Sequence, residues 1–105
     1  VVLNAHVSEW SDLPEADQLV LMRVVNVVER VLREVLHPAK INLAALGNVV
    51  PHLHWHVIAR FDWDSHFPAP IWGQAQRTVE PGQLSVLEHL MPRADQLIRQ
   101  RLLPW

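Results

Sequence analysis

The sequence predicts an α+β fold: an antiparallel sheet with one long helix packed on it and a helical C-terminal extension. Three observations predict it. Residues 14–36 repeat apolar side chains at helical spacing (Leu21, Val24, Val25, Val28, Val31, Leu32, Val35). His52-Leu53-His54-Trp55-His56-Val57-Ile58 alternates at period 2, the signature of a strand with two unlike faces. Lys40 to Leu46 reads as a second short strand, separated from the first only by a turn at Gly47-Asn48, so the two should pair antiparallel.

At 105 residues the chain is expected to form a single domain spanning residues 1–105. Half the residues are hydrophobic and 19% are charged, which is a globular composition. A formal net charge of -2 gives no bulk attraction to nucleic acid or anionic membrane, and neither is expected as a partner. The chain has no cysteine, which removes disulfides, thiolate zinc sites and cysteine nucleophiles. That suits a reducing compartment, and the expectation is cytoplasmic. No apolar run reaches the roughly 18 residues of a membrane span.

In chain order, Val1-Val2-Leu3 is strand-like and ends near Asn4-Ala5-His6. The chain starts without Met in an apolar run, so it reads as beginning inside a fold. Ser11 and Asp12 are capping candidates for the helix, with Pro14 near its first turn and Glu15 and Asp17 beside the positive dipole end. Arg23, Asn26, Arg30, Arg33 and His37 form the polar stripe, with Glu29 and Glu34 as i,i+4 partners for Arg33 and Arg30. So many valines carry weak helix propensity, and burial must hold the helix. Pro38 stops it. In the next strand Ile41, Leu43 and Ala45 share a face. Phe61 to Trp72 is proline-rich and aromatic, an irregular loop packed on the core or draped over a site. A second helical region runs from about Gln83 to Leu103, broken or kinked at Pro92.

The strand 52–58 carries the chemistry. Leu53, Trp55 and Val57 face a core, while His52, His54 and His56 stand in a row on the other side. Imidazole is the side chain poised to act as base, nucleophile or metal ligand near neutral pH. Residues i and i+2 on a strand lie roughly 6.6 Å apart, so the outer histidines are about 13 Å apart. Zn–N bonds of about 2.0–2.1 Å let two adjacent rings share a zinc, but not all three. A zinc site would need a further ligand, such as His6, His66, Asp62 or Asp64. The row better suits attack by the middle ring, with its neighbours flanking an extended anion. Such an attack needs one free ring nitrogen, so the other should be fixed by an acceptor such as a backbone carbonyl.

Every position of this stretch fits the pattern His-φ-His-φ-His-φ-φ, where φ is apolar, and the stretch resembles the motif of the histidine triad (HIT) family. The order of elements before it also fits, and the resemblance covers about residues 1–60. It implies a nucleotide hydrolase or nucleotidyltransferase acting at an α-phosphate through a covalent nucleotidyl-histidine. By that resemblance His54 is the nucleophile, His56 contacts the phosphate or leaving-group oxygen, and His52 supports the ring geometry of its neighbours. His6 matches a histidine that relatives often carry after the preceding strand. Asn48, four residues before His52, matches a phosphate-binding polar position, and Asn42 matches a polar residue on the preceding strand. The implied partners are a nucleotide or dinucleotide substrate and a second copy of the chain, as a homodimer. No metal or cofactor is required, though a divalent metal can accompany a polyphosphate substrate. Relatives usually carry further strands before the position of Val1, which supply most of the nucleoside pocket. Their extreme C-terminus, here Trp105, can shape substrate preference.

Two other readings of the residues stand beside this one. One is a zinc-dependent hydrolase using part of the row. The other is a nucleotide-binding module that keeps the motif without turnover. His37, His66 and His89 each read as surface histidines, and Trp63 and Trp72 as members of a packed loop that could also stack on a base.

Overall fold

A computed structural model describes residues 1–103 of the chain; Trp105 lies outside the described residues. The described elements are a 3-10 turn at Trp10–Asp12, helix α1 at Glu15–Leu36, strands β1 at Lys40–Ala44 and β2 at His56–Arg60, and helix α2 at Pro81–Leu102. The architecture is α+β, as the patterning predicts.

Helix α1 starts one residue after the predicted boundary. Ser11 and Asp12 do not cap it. They belong to the 3-10 turn, and Pro14 occupies the cap position with no side-chain bond. Instead the Gln18 side chain reaches back and donates to the carbonyls of Leu13 (3.0 Å) and Trp10 (3.3 Å), fixing the entry of the helix. At the far end His37 adopts a left-handed conformation (φ 50°), its N–H bonded to the Arg33 carbonyl, so the helix is already closed before Pro38. Glu34 pairs with Arg101 of α2 at 2.8 Å, so a partner across the helix pair displaces the predicted local one, Arg30.

Strands β1 and β2 pair antiparallel from Lys40↔Arg60 to Ala44↔His56. The pairing is as predicted, but the tight turn is not. After Ala44 the chain leaves the ladder, and residues 45–55 form an eleven-residue excursion that includes Gly47 at φ 95°. The histidine stretch therefore belongs to two ladders. Its C-terminal end pairs with β1, while its N-terminal end pairs with the start of the chain. There Val2 bridges His54, Trp55 N–H donates to Val1 O (2.7 Å), and Leu53 N–H donates to Val7 O (2.7 Å).

The apolar face of this stretch spans two core clusters beneath α1. Leu53 packs with Leu13 and Leu21, joined by Trp55 and Trp10. Val57 and Ala59, with Ile41 of β1, pack against Val31, Leu32, Leu36, Phe61, Ala94 and Leu97. Leu43 shares the Ile41 side but lies at the sheet edge, 44% exposed, and Ala45 falls beyond β1. Helix α2 begins at Pro81, two residues before the predicted start, at a position where a backbone N–H would have no acceptor within the helix and proline has none to leave unpaired. It runs unbroken through Pro92, because the residue is exposed while Leu90, Ala94, Leu97 and Ile98 hold the inner face against the core. No helix among the described residues is long and apolar enough to cross a membrane.

The clamp between α1 and α2 is expected to carry stability. Leu97→Ala should destabilise the fold by about 3 kcal/mol, whereas Val86→Ala, at a residue 59% exposed, should stay within about 0.5 kcal/mol. Urea midpoints of the two variants check this directly.

Candidate active site

The bridge at His54 and the strand from His56 hold the later part of the row extended, while His52 lies in a bend bonded back to Val50 O, and the rings of His54 and His56 meet with centroids 5.1 Å apart. The ring nitrogens are then assigned by what they touch. His54 Nδ1 lies 2.6 Å from the carbonyl oxygen of His52, two residues earlier on the same strand. A carbonyl can only accept, so Nδ1 carries the proton and Nε2 of the neutral ring holds a free lone pair. The backbone-carbonyl acceptor expected from the chemistry is thus supplied by the strand itself.

His52 is fixed in the same manner. Its Nε2 lies 2.7 Å from Leu3 O and therefore donates. Its Nδ1, the acceptor of the neutral ring, faces His6 Nδ1 at 2.9 Å, with the two rings stacked at 5.2 Å. The residues 1–7 that pair with the motif thus also supply the groups that orient its first histidine. His56 stands edge-on to His54, with ring centroids 5.1 Å apart. On its other side it meets Trp72, also edge-on, at 5.4 Å. A cavity of about 600 Å³ opens beside the row, and His52, His54, Asn48 and Trp72 contribute to its lining along with Val2 and Val50.

Four of the six candidate residues, His6, His52, His54 and His56, are therefore brought together, and Asn48 joins them at the cavity wall. Asn42 lies on the same sheet face, opposite Ile58. Its Oδ1 accepts a hydrogen bond from Arg60 Nη1 at 2.8 Å. Of the residues weighed as extra zinc ligands, three have partners in the structure. Asp64 bonds Arg60, His66 bonds the Ser65 hydroxyl at 2.8 Å, and His6 is turned onto His52. Among the described residues no three His, Cys, Asp or Glu side chains form a group that could hold a metal ion. His89 bonds a carbonyl of its own helix, and His37 closes α1.

Reasoning from the sequence missed Arg60, and it weighed Asp64 only as a zinc ligand and not as the partner of Arg60. Arg60 continues the row at period 2 (52, 54, 56, 58, 60) and is only 2% exposed. A buried guanidinium is tolerated only when its donors are satisfied. Here Nε and Nη2 grip both oxygens of Asp64 at 3.0 and 3.1 Å, Nη1 takes Asn42, and Nη2 also takes Ala69 O at 2.7 Å. Phe67 lies beneath the cation, 5.8 Å from the guanidinium carbon to its ring centroid. The available signal was the period-2 continuation together with an acid four residues on.

Asp64 also accepts from the backbone N–H groups of Phe61, His66 and Phe67. Burial alone would raise its pKa, but Arg60 and these three donors outweigh it and hold the carboxyl well below the usual carboxylate range. A depressed folded-state pKa gives stability that is complete above the unfolded value, near pH 4, and is lost as pH falls through the folded value. Asp64→Asn should therefore be clearly less stable than the parent at pH 7, and the difference should shrink towards pH 2. Paired urea titrations at both pH values test it; a gap independent of pH would contradict the ionised clamp.

A HIT domain family model matches residues 1–63. Among solved structures, the chain is similar to a histidine triad protein from Bradyrhizobium japonicum, with 35% identity, a TM-score of 0.71, and coverage of 94% of this chain and 70% of that one. It is also similar to a histidine triad (HIT) protein from Sinorhizobium meliloti 1021 (34% identity, TM-score 0.68, covering 91% and 67%). A histidine triad protein from Marinobacter aquaeolei VT8 matches at 33% identity with a TM-score of 0.65, covering 90% and 70%. Among curated proteins none matches. With the motif, the fold and these matches in agreement, the chain belongs to the histidine triad family, and with that membership comes a nucleotide-binding or hydrolase role.

Proposed function

We propose that the chain hydrolyses or transfers at the α-phosphate of a nucleotide through a covalent nucleotidyl-histidine on His54, with a dinucleoside polyphosphate or a nucleoside phosphoramidate as substrate. The observation that carries the reading is the 2.6 Å bond from His54 Nδ1 to His52 O, which leaves Nε2 as an unshared lone pair on the row's central ring.

The steps follow from that nitrogen. His54 Nε2 gives its lone pair to the α-phosphorus, and the bond to the leaving group breaks with its electrons. His56 supplies a proton to the departing oxygen or nitrogen. Water then attacks the phosphorus, gives up a proton to His56, and the P–N bond to His54 breaks, restoring the ring. His52 acts through its bonds to Leu3 O and His6, which hold the strand and the carbonyl that orients His54. Asn48 donates to phosphate oxygens from the cavity wall. With its Oδ1 held by Arg60, Asn42 offers its amide N–H groups to the substrate. The mechanism needs no metal, and a divalent cation enters only with a polyphosphate substrate. The reading includes a single domain over residues 1–105, cytoplasmic location, and a homodimer covering the exposed Leu19, Val20 and Leu43.

Intact-protein mass spectrometry after rapid quenching without acid tests the reading. A gain of one nucleotidyl group is expected in the parent protein and none in His54→Asn, with turnover reduced at least a thousandfold; an intact rate in His54→Asn would remove the nucleophile assignment. His56→Ala should slow a substrate with a poor leaving group at least tenfold more than one with a good leaving group. Equal losses on the two substrates would remove the proton from His56.

A further inference from the structure

We propose that the hollow between the last two turns of α1 and the end of α2 is a binding site for a compact oligophosphate, separate from the histidine row.

The site begins as a stripe on one helix. Arg30, Arg33, Glu34 and His37 recur at spacings of three and four, so they stand on one side of α1. Helix α2 brings Arg101 against that stripe, where its Nη2 donates to Glu34 at 2.8 Å. With Pro38, these five residues line a cavity of about 640 Å³. A smaller hollow of about 320 Å³ adjoins it through Arg33 and Pro38, which line both, and adds Lys40 and Glu29.

The charges of the larger cavity do not balance. Three arginines line it with one carboxylate, and that carboxylate is already taken by Arg101. Glu29 lies four residues before Arg33, the spacing of a helical ion pair, yet among the described residues neither Arg30 nor Arg33 has an acid within ion-pair distance. The whole chain has a formal charge of -2, so the positive excess is local. Like charges one turn apart on a helix cost stability. The helix dipole favours a cation in the last turn of α1, which accounts for Arg33, but its reach ends before Arg30.

A bound anion removes the imbalance. A guanidinium matches phosphate oxygens with its planar fork of donors. Arg30 and Arg33 reach the cavity from one helix and Arg101 from the other, so linked phosphates can be gripped across the cleft. Pro38 is the one apolar member of the lining among the described residues, and no aromatic ring is there to stack on a base. That selects an oligophosphate, free or carried by a small sugar, over a nucleotide. The site is also remote from the chemistry. Helix α1 packs on the apolar face of the sheet, through Leu21, Val31 and Leu32, whereas His54 and His56 stand on the other. Along the sheet, the Lys40↔Arg60 end lies roughly 13 Å from the Ala44↔His56 pair.

The test is a titration of isotope-labelled protein with inorganic tripolyphosphate and, separately, with a hexose bisphosphate, followed through backbone amide shifts at an ionic strength of about 0.15 M. Saturable shifts are expected at residues 30–38 and 99–102. Arg30→Gln combined with Arg33→Gln should weaken binding at those amides at least tenfold. Arg23→Gln, at an exposed arginine two turns earlier on α1 and outside the cavity, should weaken it less than twofold. Whichever compound binds more tightly identifies the source of the phosphates. Because Arg30 and Arg33 are exposed, the double variant should melt no lower than the parent without ligand, and tripolyphosphate should raise the melting temperature of the parent alone. Shifts confined to the histidine row and Asn48, shifts that do not saturate with either compound, or equal losses in Arg23→Gln and the double variant overturn the inference.

Discussion

The hydrogen bond from His54 to the carbonyl of His52 decides what the site can do, and much of the fold serves to make it. It spans only two residues, from a bend at His52 to the bridge at His54, so it survives only while that stretch keeps its path. β1 pairs with the strand no further than His56. The segment that holds residues 53–55 in place is the start of the chain, through the bonds among Val1, Leu3, Val7, Leu53 and Trp55. The same segment carries Leu3 O and His6, the two groups that orient His52. Beneath it lies the cluster of Leu13, Leu21 and Leu53, through which α1 supports the site by way of Leu21.

A second constraint acts at the other end of the row. Arg60 lies under the loop as a buried cation whose removal would leave Asp64 and Asn42 without their partner. Buried ion pairs add little net stability against an apolar replacement, but they demand one geometry. Here that geometry links the end of the catalytic strand, β1 through Asn42, and the loop that carries Trp72. The row of histidines is thus bounded by two fixed features, the chain start at His52 and the clamped loop at His56.

Much of this was legible in the sequence because it is periodic. The stripe of valines and leucines placed α1 to within one residue, and the alternation of His52 to Ile58 gave the histidine face, although the regular strand begins only at His56, with an isolated bridge at His54 and a bend at His52. The need for a carbonyl partner followed from imidazole chemistry alone. What was illegible depended on partners distant in the chain. Ser11 and Asp12 have cap chemistry, but the Gln18 side chain and the 3-10 turn won that end of the helix. Glu34 chose Arg101, sixty-seven residues away, over its helical neighbour. The Gly47-Asn48 pair looked like a tight turn, whereas pairing of the triad with residues 1–7 opened it into a long loop that walls the cavity. Pro92 looked like a break because local propensity cannot show that the inner face of α2 is held by Ala94 and Leu97. Arg60 read as the charged end of a strand; its burial depends on a loop whose path the sequence does not encode locally.

The central claim is that His54 presents Nε2 as a free lone pair because Nδ1–H is held by the strand. Long-range proton–nitrogen correlation spectra of the imidazole rings measure this directly at a pH where the ring is neutral. The account predicts a protonated Nδ1 and a pyridine-type Nε2 for His54, with the reverse arrangement for His52, whose Nε2–H is held by Leu3 O. A His54 ring with its proton on Nε2 would contradict it, because the nitrogen that faces away from the strand could then not attack.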